Sequence, residues 1–240
     1  MREFMITGTF ALLASMGSYT YAQGQVTIQN DSKDFVGVKN SISATVNLYQ
    51  ASTYKVEVTT SQKVADKLEI SVENGLLSIR EKDQSWNRWG CSNNSDEKVV
   101  VNVWSPRYST LVINGSGDML AKTPIKTGDI EIKVNGSGDV RVDELEAESV
   151  SLKTNGSGDI AVCGKKEVST LEVKINGSGD IDTRNLAAKT ADVSITGSGD
   201  VSVNVLEKFT ANSVGSGDIH LLGNPQINAK ILGSGEIIRK

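Results

Sequence analysis

The chain has 240 residues, enough for one or two domains with a sizeable core, and its 38% hydrophobic and 22% charged content is that of an ordinary globular protein. A net charge of −4 gives no overall basic field, so nucleic acid is not an expected partner. A single histidine, His220, excludes any multi-histidine zinc site.

Residues 1–22 read as a secretory signal segment. Phe4 to Met16 form an apolar run, followed by Thr20-Tyr21-Ala22, which approximates a small-x-small cleavage site. The run is short for the ~20 residues of a membrane-spanning helix and contains Gly8 and Ser15. Export to the periplasm, the cell surface or the medium is therefore expected, with no membrane span in the mature chain. An oxidising compartment would permit a bridge between Cys91 and Cys163, with two unpaired thiols as the alternative.

Residues 23–110 are strand-like and irregular. Ile42, Ala44, Val46 and Leu48 alternate with polar residues, as do Tyr54, Val56 and Val58, and then Val99, Val101 and Val103. Glu73-Asn74-Gly75 predicts a tight turn between Ile70/Val72 and Leu77/Ile79. Gln62 to Lys67 suggests a short helical turn. This module is expected to be continuous with the β-structure of residues 111–240, or to cap it. Within it, Ser85-Trp86-Asn87-Arg88-Trp89-Gly90-Cys91 places two tryptophans in a polar segment. Trp86, Arg88 and Trp89 are the ligand-binding candidates, because exposed aromatic faces beside Arg and Asn suit sugars or proteins. A loop that folds over the end of the β-structure explains the same residues without a ligand.

Residues 111–240 are dominated by a repeat. Gly115-Ser116-Gly117-Asp118 recurs at Gly136, Gly156, Gly177, Gly197 and Gly215 and ends as Gly233-Ser234-Gly235-Glu236, using 14 of the 23 glycines. The spacings are 21, 20, 21, 20, 18 and 18 residues. Period-two alternation precedes each corner (Ile130, Ile132, Val134) and resumes after it (Val140, Val142). One such unit buries almost nothing alone; equivalent strands stacked in parallel bury a continuous apolar column. The expected fold is all-β, a parallel β-helix with Gly-Ser-Gly-Asp corners, right-handed by the usual crossover rule. Its seven corners give a rod of roughly 29 Å at the usual strand spacing. An antiparallel sandwich is the runner-up.

The early Val-rich strands, the Glu73-Asn74-Gly75-Leu76-Leu77-Ser78-Ile79 segment and the Asn-Gly-Ser-Gly-Asp corners at 114–118, 135–139, 155–159 and 176–180 resemble the auto-transporter adhesin head GIN domain family. The resemblance covers nearly the whole mature chain. It implies an exported right-handed β-helical protein and carries over no catalytic residues.

Stacking in register would align Asp118, Asp139, Asp159, Asp180, Asp200, Asp218 and Glu236 in one acidic column. At ~4.8 Å in water each neighbouring pair repels by roughly 0.9 kcal/mol, so the row must be exposed, hydrogen-bonded or bridged by cations. Carboxylates that accept hydrogen bonds from their own corner are the preferred reading. The alternative is a calcium ladder, with Asp159, Asp180, Asp182 and Asp200 as ligands. The nonapeptide calcium motif Gly-Gly-x-Gly-x-Asp does not occur, and no cofactor is otherwise expected. Asp180, Asp182 and Arg184, with Asp159 and Asp200 on adjacent coils, are the residues a polysaccharide lyase or hydrolase would use. The outward column through that cluster, Leu120, Arg141, Ala161, Asp182, Ser202, His220 and Ile238, is too mixed for a cleft lining. The expected function is a non-enzymatic binding or adhesion protein of the cell envelope, with a glycan or envelope protein as partner. An enzyme acting on acidic polysaccharide is the alternative.

Overall fold

The computed structural model describes residues 19–22, 25–82 and 98–240. It is an all-β solenoid of about six turns. Each turn has a strand leading into the Gly-Ser-Gly-Asp corner, a strand leading out of it, and a return along a third side. The lead-in strands Thr110–Gly115, Asp129–Gly136, Ser149–Gly156 and Val168–Gly177 stack in parallel and in register. The stack continues through the later parts of the bent strands Ile181–Gly197 and Val201–Gly215, and ends at Gln226–Gly233. The lead-out strands run from Asp118–Ala121 through Val140–Val142 and Ile160–Val162 to Ile219–Leu222 and Ile237–Arg239.

Alternation decides what each strand buries. Leu111, Ile132, Leu152, Val173, Val193 and Ala211 form one inward column, and every member is buried. The outward column Leu120–Arg141–Ala161–Asp182–Ser202–His220–Ile238 stands in register as the repeat predicts. One apolar cluster runs without interruption from Phe35 to Leu221.

The corners need glycine because backbone rests on backbone. Gly177 has φ 138°, and a Cβ there would lie 2.1 Å from the carbonyl oxygen of Gly156. Between the glycines, each serine amide donates to the glycine carbonyl one coil below, as Ser178 does to Gly156 at 2.8 Å. The drop in spacing from 20 to 18 residues leaves this stack intact. The lost residues come out of the third side, as register shifts between Thr183 and Ala187 and between Ala188 and Thr190, and Gly197 still faces Gly215.

At the N-terminal end the ladders turn antiparallel. Leu76–Glu81 pairs in parallel with Gly37–Asn40, which stacks on Thr110–Gly115; Leu68–Glu73 then closes the lead-in sheet as a hairpin with Leu76–Glu81. Its turn has positive φ at both Asn74 (53°) and Gly75 (74°), the arrangement expected of an Asn-Gly hairpin. On the lead-out side, Thr45–Gln50 lies between Asp118–Ala121 and Val100–Ser105, and Lys55–Ser61, Gln25–Asn30 and Tyr19–Ala22 follow in antiparallel order. The helical turn covers Gln62–Ala65 and is capped by Ser61, which accepts from the Val64 amide. Phe35 and Tyr108 fill this end with no exposure, and the Tyr108 hydroxyl donates to the Val103 and Tyr49 carbonyls at 2.9 and 3.2 Å. Burial holds the Tyr108 phenol above its usual pKa range.

Candidate functional site

A concavity of about 800 Å³ lies on the outer surface of the lead-in sheet. Side chains of consecutive coils reach it because each outward position is stacked on its equivalent. Thr110, Glu131, Ser151, Glu172, Asp192 and Thr210 make one column, and Val112, Lys133, Lys153 and Lys174 make its neighbour. Carboxylates and ammonium groups cross-link these columns. Lys133 and Lys153 approach Glu131 at 2.8 and 2.9 Å; Lys153 also lies 3.6 Å from Glu172, which is further held by Lys174 and by the Ser151 hydroxyl at 2.8 Å.

The electrostatics follow from those contacts. Hydrogen bonds from Lys174 and Ser151 lower the Glu172 carboxyl to about 2. Burial pushes Glu131 upward, but the hydrogen bonds from Lys133 and Lys153 outweigh it and leave its carboxyl below the ordinary value. The Glu131 hydrogen bond raises Lys153. All three groups are therefore charged through the neutral range. The arrangement is a strip of fixed donors and acceptors with hydroxyls between them, spanning six coils.

A second concavity of about 540 Å³ adjoins the first at Thr110 and is lined by Lys39, Ser78 and Arg80 among others. Gly37 lies in its floor, where a Cβ would come within 2.7 Å of Leu76 and 2.9 Å of the Thr110 carbonyl oxygen.

The acidic column is built differently. Each carboxylate accepts a hydrogen bond from the amide of the next acidic residue, one coil further on. Asp139 donates to Asp118 at 3.1 Å, Asp159 to Asp139 at 2.9 Å, Asp180 to Asp159 and Asp200 to Asp180 at 2.8 Å, Asp218 to Asp200 at 2.7 Å and Glu236 to Asp218 at 2.9 Å. These bonds correct the expectation of bonding within one corner: the stacked coil presents its amide to the carboxylate below. Asn135 and Asn155 form a shorter ladder between side chains, their side-chain amide nitrogens donating to the side-chain oxygens of Asn114 and Asn135.

A family model described as “Putative auto-transporter adhesin, head GIN domain” matches residues 34–225. The chain belongs to this family. Among solved structures, a “putative adhesin” from Bacteroides fragilis NCTC 9343 superposes with a TM-score of 0.81 at 20% identity, over 91% of this chain and 98% of that one. A “Putative lipid binding protein” from Parabacteroides distasonis ATCC 8503 gives a TM-score of 0.73 at 26% identity, over 91% and 97%. Both support the same solenoid. No curated protein matches the chain.

Of the residues singled out in the sequence of this GIN domain, Trp86, Arg88, Trp89 and Cys91 lie outside the described residues. Cys163 is partly exposed. Asp159, Asp180 and Asp200 stand on adjacent corners, the first two exposed and Asp200 half-buried. Asp182 lies apart from them on the lead-out face, held to Arg184 at 2.9 Å. None of the four lines either concavity. No group of three or more His, Cys, Asp or Glu among the described residues is placed to hold a metal ion.

Sequence reasoning missed the lead-in groove. The signal was present in Glu131, Ser151, Glu172 and Asp192, the outward residues of the strands before the corners, and reading that column in register would have found it. It also missed a stacked pair, Tyr49 on Trp104 at 4.8 Å and 11°, with the Lys55 ammonium 4.9 Å from the Trp104 ring. Trp104 is flanked by those neighbours on both adjoining strands, which explains the stack by packing.

Proposed function

We propose that this GIN domain is an exported, non-enzymatic adhesion protein whose lead-in groove binds an extended glycan of the cell envelope. The observation that carries the reading is the groove itself, a strip of alternating carboxylate, ammonium and hydroxyl groups about 800 Å³ in volume. Sugar hydroxyls and acidic substituents need many donors and acceptors along a line, and the ion pairs of Glu131, Lys153 and Glu172 pre-orient them, which lowers the ordering cost on binding. The signal-like segment at residues 1–22 supports export. No helix among the described residues is long and apolar enough to cross a membrane.

A glycan array followed by calorimetric titration tests the reading. Lys153→Ala should weaken the best ligand about tenfold, the usual loss for a charged hydrogen bond. Asp180→Ala, on the far side of the corner, should leave binding unchanged. Depolymerised product that disappears in Asp180→Ala and Asp182→Ala would replace the reading with a polysaccharide-cleaving enzyme. Because one structural relative is named for lipid binding, vesicle co-sedimentation is run in parallel. Retention on vesicles together with a silent array would reject the glycan.

A further inference from the structure

Ser78, Lys39, Val112, Lys133, Lys153 and Lys174 are register partners from coil to coil on the lead-in face. Three of these lysines have their carboxylate. Lys133 takes Glu131, Lys174 takes Glu172, and Lys153 lies within reach of both. Glu131 and Glu172 each stand two residues ahead of a lysine, so those pairs are built into one strand. On Gly37–Asn40 the residue two ahead of Lys39 is Gly37, where Leu76 and the Thr110 carbonyl crowd out a side chain. Glu131 lies two strand spacings away, about 10 Å, with Thr110 between. Lys39 is therefore half-buried with no ion pair among the described residues. Lys230, further along the column, is exposed and lines neither concavity. The other cation of the smaller concavity is already matched: Arg80 donates to Glu69 through Nε and Nη2 at 3.2 and 2.9 Å and lies 3.5 Å from Glu73. What remains in about 540 Å³ is one unmatched ammonium group, with Ser41, Ser78 and Thr110 in the same lining.

We propose that this smaller concavity is a subsite for the carboxylate of an acidic sugar, a uronate, held by Lys39 at the N-terminal end of the lead-in groove. The proposal rests on the glycan reading of that groove and names the acidic class of its ligand. The sugar carboxylate takes the place that Glu131 and Glu172 fill on later coils, and gives Lys39 the charge-assisted hydrogen bond its equivalents already have. The hydroxyls of Ser41, Ser78 and Thr110 both donate and accept, as the ring hydroxyls of a sugar require. One unmatched positive charge suits a monoanion such as a carboxylate; a phosphate group, which carries close to two charges at neutral pH, would keep part of its charge uncompensated. The volume lies within the range of small-molecule sites, about 300–1,000 Å³. Because the two concavities share Thr110, a uronate beside Lys39 is continuous with a chain lying in the groove.

Titration of the isotope-labelled chain with sodium galacturonate, galactose and sodium acetate, at constant ionic strength and followed by amide NMR shifts, is the test. Galacturonate should move the amides of Gly37, Lys39 and Ser78 and saturate, with galactose and acetate at least about tenfold weaker. Lys39→Met should weaken galacturonate about tenfold with far-UV circular dichroism unchanged, and Lys39→Arg should keep most of the affinity. Thr110→Glu sets a carboxylate beside Lys39 and should weaken galacturonate similarly while the lysine stays in place. Galacturonate that leaves those amides unmoved overturns the proposal. Equal affinity for acetate does so too, as does undiminished binding in Lys39→Met and Thr110→Glu. The glycan reading of the groove fails separately. A silent glycan array with galacturonate still bound rejects the extended chain and supports the Lys39 site, whereas array ligands that are all neutral reject the Lys39 site and leave the groove.

Discussion

The two ends of the solenoid carry the same inward alternation, but only the N-terminal end is covered by strands that leave the repeat. At the N-terminal end the chain abandons the parallel coil and lays antiparallel strands over it, and Phe35, Ile79 and Tyr108 are fully buried. At the C-terminal end the repeat continues through Gly233 to Glu236, and Ile227 and Leu232 stand open. A parallel coil can bury its apolar side chains only if something lies on both sides of it. The repeat supplies that for internal coils and cannot supply it for a terminal one. A cap requires departure from the repeat, which is why the irregular sequence lies at the closed end.

The sharpest way to break this contrast is at the glycine corners, where a terminal coil differs from an internal one only in what lies above it. A Cβ at Gly177 would meet the Gly156 oxygen at 2.1 Å, and one at Gly233 would meet the Gly215 oxygen at 1.9 Å, with φ of 138° and 133°. Gly177 is pinned by the next coil. Gly177→Ala should therefore cost more than about 4 kcal/mol in denaturant unfolding, among the largest single-residue effects. Gly233→Ala should cost distinctly less, because the last coil can lift. Gly115→Ala isolates the backbone contribution: φ is 139°, but nothing lies within 4 Å of its Cβ, so only the strain of about 1–3 kcal/mol remains. Equal losses at all three sites would mean that conformation, and not stacking, selects the glycines.

Next in size is a matched pair of isoleucines. Ile79 is fully buried in the closing hairpin, and Ile227 is 41% exposed on the last coil. Ile79→Ala should destabilise by about 2–5 kcal/mol. Ile227→Ala should cost about 1 kcal/mol or less, since much of that side chain is already in water. Similar losses at both would show the open end to be as well packed as the closed one.

The same contrast explains what was legible in the sequence. Identical corners at near-constant spacing fix the register of every coil between them, so the column from Leu120 to Ile238 could be written out in order. The Asn74-Gly75 turn was legible because both residues tolerate positive φ. The pairing of Thr45–Gln50 with Val100–Ser105 was not, because no repeated element marks two strands more than fifty residues apart as neighbours. The partner of each corner aspartate was missed for a related reason. Local chemistry points an aspartate at its own turn, and only the stacked geometry brings the next coil's amide to 2.7–3.1 Å. The groove depends on a further step, the contact between outward residues of different coils, such as Lys153 reaching both Glu131 and Glu172.

The smallest predicted effect separates the middle of the groove from either end. Glu172 is lowered to about 2 by its hydrogen bonds from Lys174 and Ser151, against an ordinary value of 4.5. A carboxylate with a depressed folded-state pKa adds stability above its unfolded value and loses it as the pH falls through the folded one. The contribution of Glu172 is therefore full above about pH 4.5 and is lost progressively toward pH 2. The side chain is 37% exposed, so solvent screening reduces the effect to less than about 1 kcal/mol. Thermal melts of the wild type and Glu172→Gln should differ slightly at neutral pH and converge as the pH drops through that window. High salt should narrow the neutral-pH gap. A gap that stays constant from neutral pH to pH 2 would mean that Glu172 stabilises the coil through packing, and the charged strip across Lys153 and Lys174 would then be free to rearrange around a ligand.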